Sequence, residues 1–219
     1  MTIVELPKSA AAAMPPPRRR GLRRLVAAVV LLVLLAGVAY GLAQYYYASI
    51  PLPREREPGT QQVRAENLRP GVADAIVAAV DPDFYQQADE LVWPSSALTK
   101  RYAVVAMWES WDDLDSWRVR VGAHKLEGWY TKNQLLDFYL NTAHYGQGAV
   151  GLEQASTLYF GKHPRDLTVT EAALLGVHLD PDPGDVRAAW NRVLDTMVEH
   201  GWLNTGERGR LVFPKTIQE

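Results

Sequence analysis

The chain has 219 residues, no cysteine, and 23 lysines and arginines against 25 aspartates and glutamates. This near balance gives no global charge pointing to nucleic acid, and the lack of cysteine excludes disulfides and thiol chemistry. The length suits one domain of ordinary size with additional segments.

Residues 1–24 read as an unstructured tail, MTIVELPKSAAAAMPPP, followed by Arg18, Arg19, Arg20, Arg23 and Arg24. Directly after this basic cluster the chain carries no charge from Leu25 to Pro53. Residues 25–47 are long enough as a helix to cross a hydrocarbon layer of roughly 30 Å. Tyr45, Tyr46 and Tyr47 fall where an aromatic belt meets the far interface. A cleaved signal peptide would have an apolar stretch of about 7–15 residues and a small-residue cleavage site. The longer run here reads as a single uncleaved anchor in the cytoplasmic membrane. The arginines predict a cytoplasmic N-terminus and an extracytoplasmic C-terminal domain.

Residues 48–70, rich in Pro, Glu, Arg and Gln, read as an extended juxtamembrane linker. From Val72 onward the pattern is helical. VADAIVAAV is apolar enough for a buried helix, and Thr131 to Gln134 form a capping box that opens LLDFYLN. A second box, Thr168 to Glu171, opens EAALLGV. Pro183 is placed to start the helix DVRAAWNRVLDTMVEH, which Gly201 ends. The expected fold is all-α, with a domain over residues 71–219.

GQGAVG, residues 146–151, fits the G-x-G-x-x-G pattern of a dinucleotide loop, but such a loop needs a strand before it. An amphipathic helix precedes this one, so the glycines are expected to form a turn between helices, with Gly146 or Gly148 at positive φ. Glu171 is then a capping acid. WESWDDLDSW reads as one bent helix that buries Trp108, Trp111 and Trp117 with its acids outside; interface or sugar contact by the tryptophans is the competing reading. The five histidines show no metal-ligand spacing, so neither metal nor cofactor is expected.

The stretch Tyr130–Val177, YTKNQLLDFYLNTAHYGQGAVGLEQASTLYFGKHPRDLTVTEAALLGV, resembles the peptidoglycan glycosyltransferases, glycosyltransferase family 51. The resemblance is carried by Lys132 to Asn141, by Gly146 to Lys162 and by EAALL at 171–175. Asn191, Arg192, Val193, Leu194 and Met197 resemble the family's closing helix. It implies a lysozyme-like helical domain that polymerises lipid II, in which a carboxylate deprotonates the attacking sugar hydroxyl and cationic groups stabilise the leaving pyrophosphate. Ser96, Thr99, Lys162 and Arg192 match family positions near the substrate. Lipid II, a glycan strand or a cell-wall synthase are the partners implied. No penicillin-reactive motif occurs.

The stretches that should carry the chemistry depart from the family pattern. In AIVAAVDPDFYQQ, Asp81, Phe84 and Tyr85 match, but the general-base glutamate position is Val80 and the histidine position Gln87. Counting back from Glu127, the second glutamate position is Val119 and the arginine-lysine pair reads Asp115 and Ser116. VWPSSALTKRY keeps Ser96, Leu98 and Thr99 but lacks the family's glycines and glutamines, and the lysine a few residues on is Val104. The segment from Val80 to Ser96 is also shorter than in the family. These departures predict a membrane-anchored binding or scaffold protein without turnover. An active glycosyltransferase drawing on Asp81, Asp83, Asp89, Glu90 or Glu109 is the alternative. The plain expectation for all five acids is a solvated surface.

Overall fold

The computed structural model describes residues 19–51, 63–86, 94–107 and 111–217, in two compact units, Met1–Ser49 and Ile50–Glu219. The first unit contains helix α1, Arg19–Ser49. Its Gly21–Ser49 stretch, 29 residues with a mean hydropathy of 2.7 in its most apolar window, is long and apolar enough to cross a membrane. It is apolar all round, as a lipid-facing helix must be, and it extends beyond residues 25–47 at both ends.

The second unit is helical: α2 (Val72–Val80), α3 (Ala97–Met107), α4 (Trp117–Trp129), α5 (Lys132–Thr142), α6 (Leu152–Phe160), α7 (Val169–Val177), α8 (Val186–Glu199) and the short α9 (Thr205–Arg208). Among the described residues there is no strand, only an isolated bridge between His144 and Val150. The all-α expectation holds.

The element boundaries follow local chemistry. Both capping boxes are formed: Thr131 accepts from Gln134 N at α5, and Thr168 accepts from Glu171 N at α7, with each partner side chain reaching back to the cap. These reciprocal bonds satisfy N–H groups that the helix itself leaves unpaired. Helix α8 is capped by Asp185, whose carboxylate accepts from Ala188 N at 3.1 Å, so it starts three residues after Pro183. It ends before Gly201, which has φ +72°.

The glycine stretch is a turn. Gly146, Gln147, Gly148 and Gly151 all have positive φ, and Gly151 N donates to Ala143 O at 2.8 Å. A Cβ on Gly151 would lie 2.7 Å from Asn141 O, so only glycine allows the turn to close on the end of α5.

Two expectations differ from the structure. Residues 63–67, assigned to an extended linker, dock on α5. Asn141 clamps Val63 from both sides, accepting from its N–H at 3.0 Å and donating to its carbonyl at 2.7 Å, while Asp137 accepts from Ala65 N at 2.7 Å. The tryptophan-rich stretch is not one bent helix: a 3-10 turn at Trp111–Asp113 separates α3 from α4. Trp117 opens α4 and is 55% exposed, and Trp108 lies outside the described residues.

The core is built by α2 against α7 and α8, and by α3 against α4 and α5. The α2–α7 contact is close because Gly176 faces it, where a Cβ would meet Ala79 Cβ at 2.7 Å and Ala75 O at 3.3 Å. Gly176→Val therefore forces the two helices apart. Its expected cost is about 1–3 kcal/mol, read as a lowered unfolding midpoint; unchanged stability would show that the contact is not tight.

Candidate functional site

Helix α3 begins at Ala97 with unpaired backbone N–H groups and the positive end of its dipole. Two carboxylates and a hydroxyl meet it. Asp81, which follows α2 directly, accepts from Leu98 N at 2.9 Å. Ser96 Oγ accepts from Thr99 N at 3.2 Å and lies 2.7 Å from Thr99 Oγ1. Glu127, in the last turn of α4, accepts from Ser96 N at 2.8 Å.

Lys132, the first residue of α5, completes the cluster. Its ammonium lies 3.1 Å from Glu127 Oε1 and 4.9 Å from the centre of the buried Phe84 ring. A cavity of about 390 Å³ opens beside these groups, with Tyr85, Pro94, His124, Glu127 and Lys132 on its wall. His124 Nδ1 lies 3.0 Å from Pro94 O.

Burial acts to raise the Glu127 carboxyl, but the Ser96 N–H, the Thr99 and Ser96 hydroxyls and the Lys132 charge together hold it below its ordinary value of 4.5. For Asp81 burial wins: its carboxyl is raised despite the bonds from Leu98 and Ala97 and the attraction of Lys132. Glu127 is thus held as a carboxylate by three donors and a cation, while Asp81 is held as a helix cap.

Sequence reasoning named Ser96 and Thr99, and the structure places both in this cluster. Lys162 stands elsewhere, just past the end of α6, with Nζ 2.6 Å from Glu171 Oε1. Glu171 is itself the α7 capping acid, and although burial would raise it, Lys162 and Thr168 lower it. Arg192 is an exposed residue of α8.

Val80 ends α2, half-buried against the core. Val119 is 0% exposed within the core, and its N–H donates to the α4 cap Ser116 at 3.2 Å. Of the five acids considered, Asp81 is buried and not a solvated surface group. Asp83 is exposed and accepts from Gln86 Nε2 at 3.1 Å; Asp89, Glu90 and Glu109 lie outside the described residues. Among the described residues no three His, Asp or Glu side chains converge as metal ligands.

The pair that sequence reasoning missed is Glu127 with Lys132. The available signal was an acid and a lysine on either side of the Thr131 cap, where the change of helix direction brings residues five apart together.

The linkage sign for Glu127 is that of a depressed acid: its stabilisation is present above the ordinary value of 4.5 and is lost as pH falls through the lowered native value. Asp81 acts oppositely, favouring the fold when protonated. Glu127→Gln should therefore lose less stability than wild type as pH is taken from above the ordinary value of 4.5 down through the lowered native value, in denaturant titrations. Equal losses would contradict the role given to this carboxylate.

Residues 95–198 match the family model described as Transglycosylase. Penicillin-binding protein 1A of Mycolicibacterium smegmatis is 31% identical over 186 residues, covering 71% of this chain and 24% of that relative. Penicillin-binding protein 1A of Mycobacterium tuberculosis is 43% identical over 103 residues, 43% of this chain and 13% of the relative. Penicillin-binding protein 2D of Bacillus subtilis is 35% identical over 133 residues, 52% of this chain and 19% of the relative. The chain thus matches less than a quarter of the length of each. The family match begins at Ser95, so the stretch from Val80 to Tyr85 lies before it.

Proposed function

From the premise that this chain carries a domain of the peptidoglycan transglycosylase family, we propose that it is a membrane-anchored protein of bacterial cell-wall assembly that binds without catalytic turnover. Its ligand is lipid II, a glycan strand or a cell-wall synthase. The N-terminus is cytoplasmic and the helical domain lies outside, as the arginines before α1 predict.

The observation that carries this reading is the use made of the positions where the family places its acids. Val119 is sealed in the core at 0% exposure, and Val80 packs half-buried at the end of α2. Neither accepts a proton. General-base catalysis contributes about 10²–10⁴ in rate, and electrostatic stabilisation of developing charge is usually larger.

The nearby carboxylates do not replace them. Asp81 is engaged by the N-terminus of α3, and Glu127 by Ser96 and Lys132. Lys162, a cation suited to a pyrophosphate, is neutralised by Glu171. The cavity, by contrast, persists and is lined by polar and aromatic groups, which suffice for binding.

The test is to incubate the full-length protein, purified in detergent, with labelled lipid II and to score bound ligand and polymer together. The expected result is no polymer, with saturable binding if lipid II is the partner. Polymer made by the wild-type protein would sink the proposal and direct attention to residues 87–93 and 108–110. Neither binding nor polymer would leave a glycan strand or the synthase as the partner.

A further inference from the structure

Lys125 of α4 donates from Nζ to the carbonyl of Ile50. Ile50 directly follows Ser49, the last residue of α1, and lies within the charge-free run from Leu25 to Pro53. In a chain anchored by α1, Ile50 therefore sits at the membrane surface where the span ends, and its bond to Lys125 holds α4 there too. This step rests on the reading of α1 as a membrane anchor. Ile50 is only 1% exposed. It and Val121, one turn before Lys125, are buried apolar residues that do not join the main core.

The same side of α4 carries an exposed tryptophan at each end. Trp117, Val121, Lys125 and Trp129 are spaced four residues apart, so they line one side of the helix. Val119, Ala123 and Leu126 point the other way, into the core. Trp117 is 55% exposed and Trp129 75%, and the two stand about 18 Å apart along the helix axis. Trp190 and Trp202, by contrast, are buried and half-buried.

Tryptophan is favoured at a lipid–water boundary, where its rings meet apolar chains and its N–H meets water. Sugar stacking is the weaker explanation, because neither Trp117 nor Trp129 lines the cavity. Attraction to anionic lipid is not the driving force either: Asp112, Asp113 and Asp115 stand exposed just before α4 and oppose it. The side chain of Arg120 lies over the Trp117 ring, 5.6 Å from its centre. A shallow contact, with the helix axis along the surface, suits this mixture of indoles and charges.

We propose that the outer side of α4 is a second membrane contact of this chain, lying among the lipid headgroups with Trp117 and Trp129 inserted at the boundary and Lys125 pinned to Ile50 between them. The contact fixes α4, and with it the Glu127 end of the cavity, at the bilayer surface. It does not depend on whether the domain turns over lipid II.

The full-length protein, labelled with fluorotryptophan and reconstituted into phosphatidylcholine nanodiscs, tests this by fluorine NMR. Trp117→Phe, Trp129→Phe and Trp190→Phe assign three of the seven tryptophan signals. A lipid with a spin-labelled headgroup is then introduced, and in a parallel sample a soluble gadolinium chelate. Trp117 and Trp129 should lose most of their intensity to the lipid label, while Trp190 keeps its own. Intensity retained against the lipid label at either residue would overturn the proposal. The chelate identifies the reason: quenching means that the ring faces water, and protection means that it lies against a second copy. Equal loss at Trp190 would also overturn it. Failure of the protein to co-elute with the nanodiscs would overturn the anchor reading and this contact together, whereas water-facing tryptophans on a protein that does co-elute would overturn this contact alone.

Discussion

The N-terminus of α3 is the point on which the candidate site depends. A helix start exposes several unpaired N–H groups and a partial positive charge, and here Asp81, Ser96 and Glu127 answer them from three separate parts of the chain. In doing so they tie the end of α2, the start of α3 and the end of α4 together. Lys132 offsets the negative charge this gathers, pairing with Glu127 and lying over Phe84, which joins α5 to the same knot. The cavity lies where these helix ends meet. Its shape therefore depends on the same bonds that begin α3.

The departures from the family pattern acquire a common meaning in this setting. Where the resemblance places an arginine-lysine pair and an acid, the chain has Asp115, Ser116 and Val119. Ser116 caps α4, and Val119 fills the core. Both residues contribute stability where they stand, because a serine cap is worth about 1 kcal/mol and a buried valine about 1.5–3 kcal/mol. Asp81 matches the family residue and here serves as a helix cap.

Much of the fold was legible because it is set by local rules. The apolar run of α2, both capping boxes and the close of α8 at Gly201 are each written within a few adjacent residues. The glycine stretch was legible as a turn because a helix and not a strand precedes it. What was not legible depends on contacts distant in sequence. The amide of Asn141 fixes Val63, 78 residues away, and nothing around Val63 announces this docking. The same holds for Glu127 with Ser96, 31 residues apart. Trp117 was misread because apolar character was taken as a sign of burial, although the side chain stands at a helix start among acids and stays exposed. Of the residues named for the site, Ser96 and Thr99 gather at the N-terminus of α3, while Lys162 stands just past the end of α6 and Arg192 on α8, whose relation to the site no local motif reports.

The central claim is that the position of the second family acid has become part of the core. Val119→Glu tests it most directly, by equilibrium unfolding of the full-length protein alongside a lipid II polymerisation assay. The account predicts a loss of about 3 kcal/mol or more, as for an unpaired buried charge, and no polymer. A variant that keeps wild-type stability and gains polymerising activity would contradict it, since that outcome requires residue 119 to face an open and otherwise competent catalytic cleft.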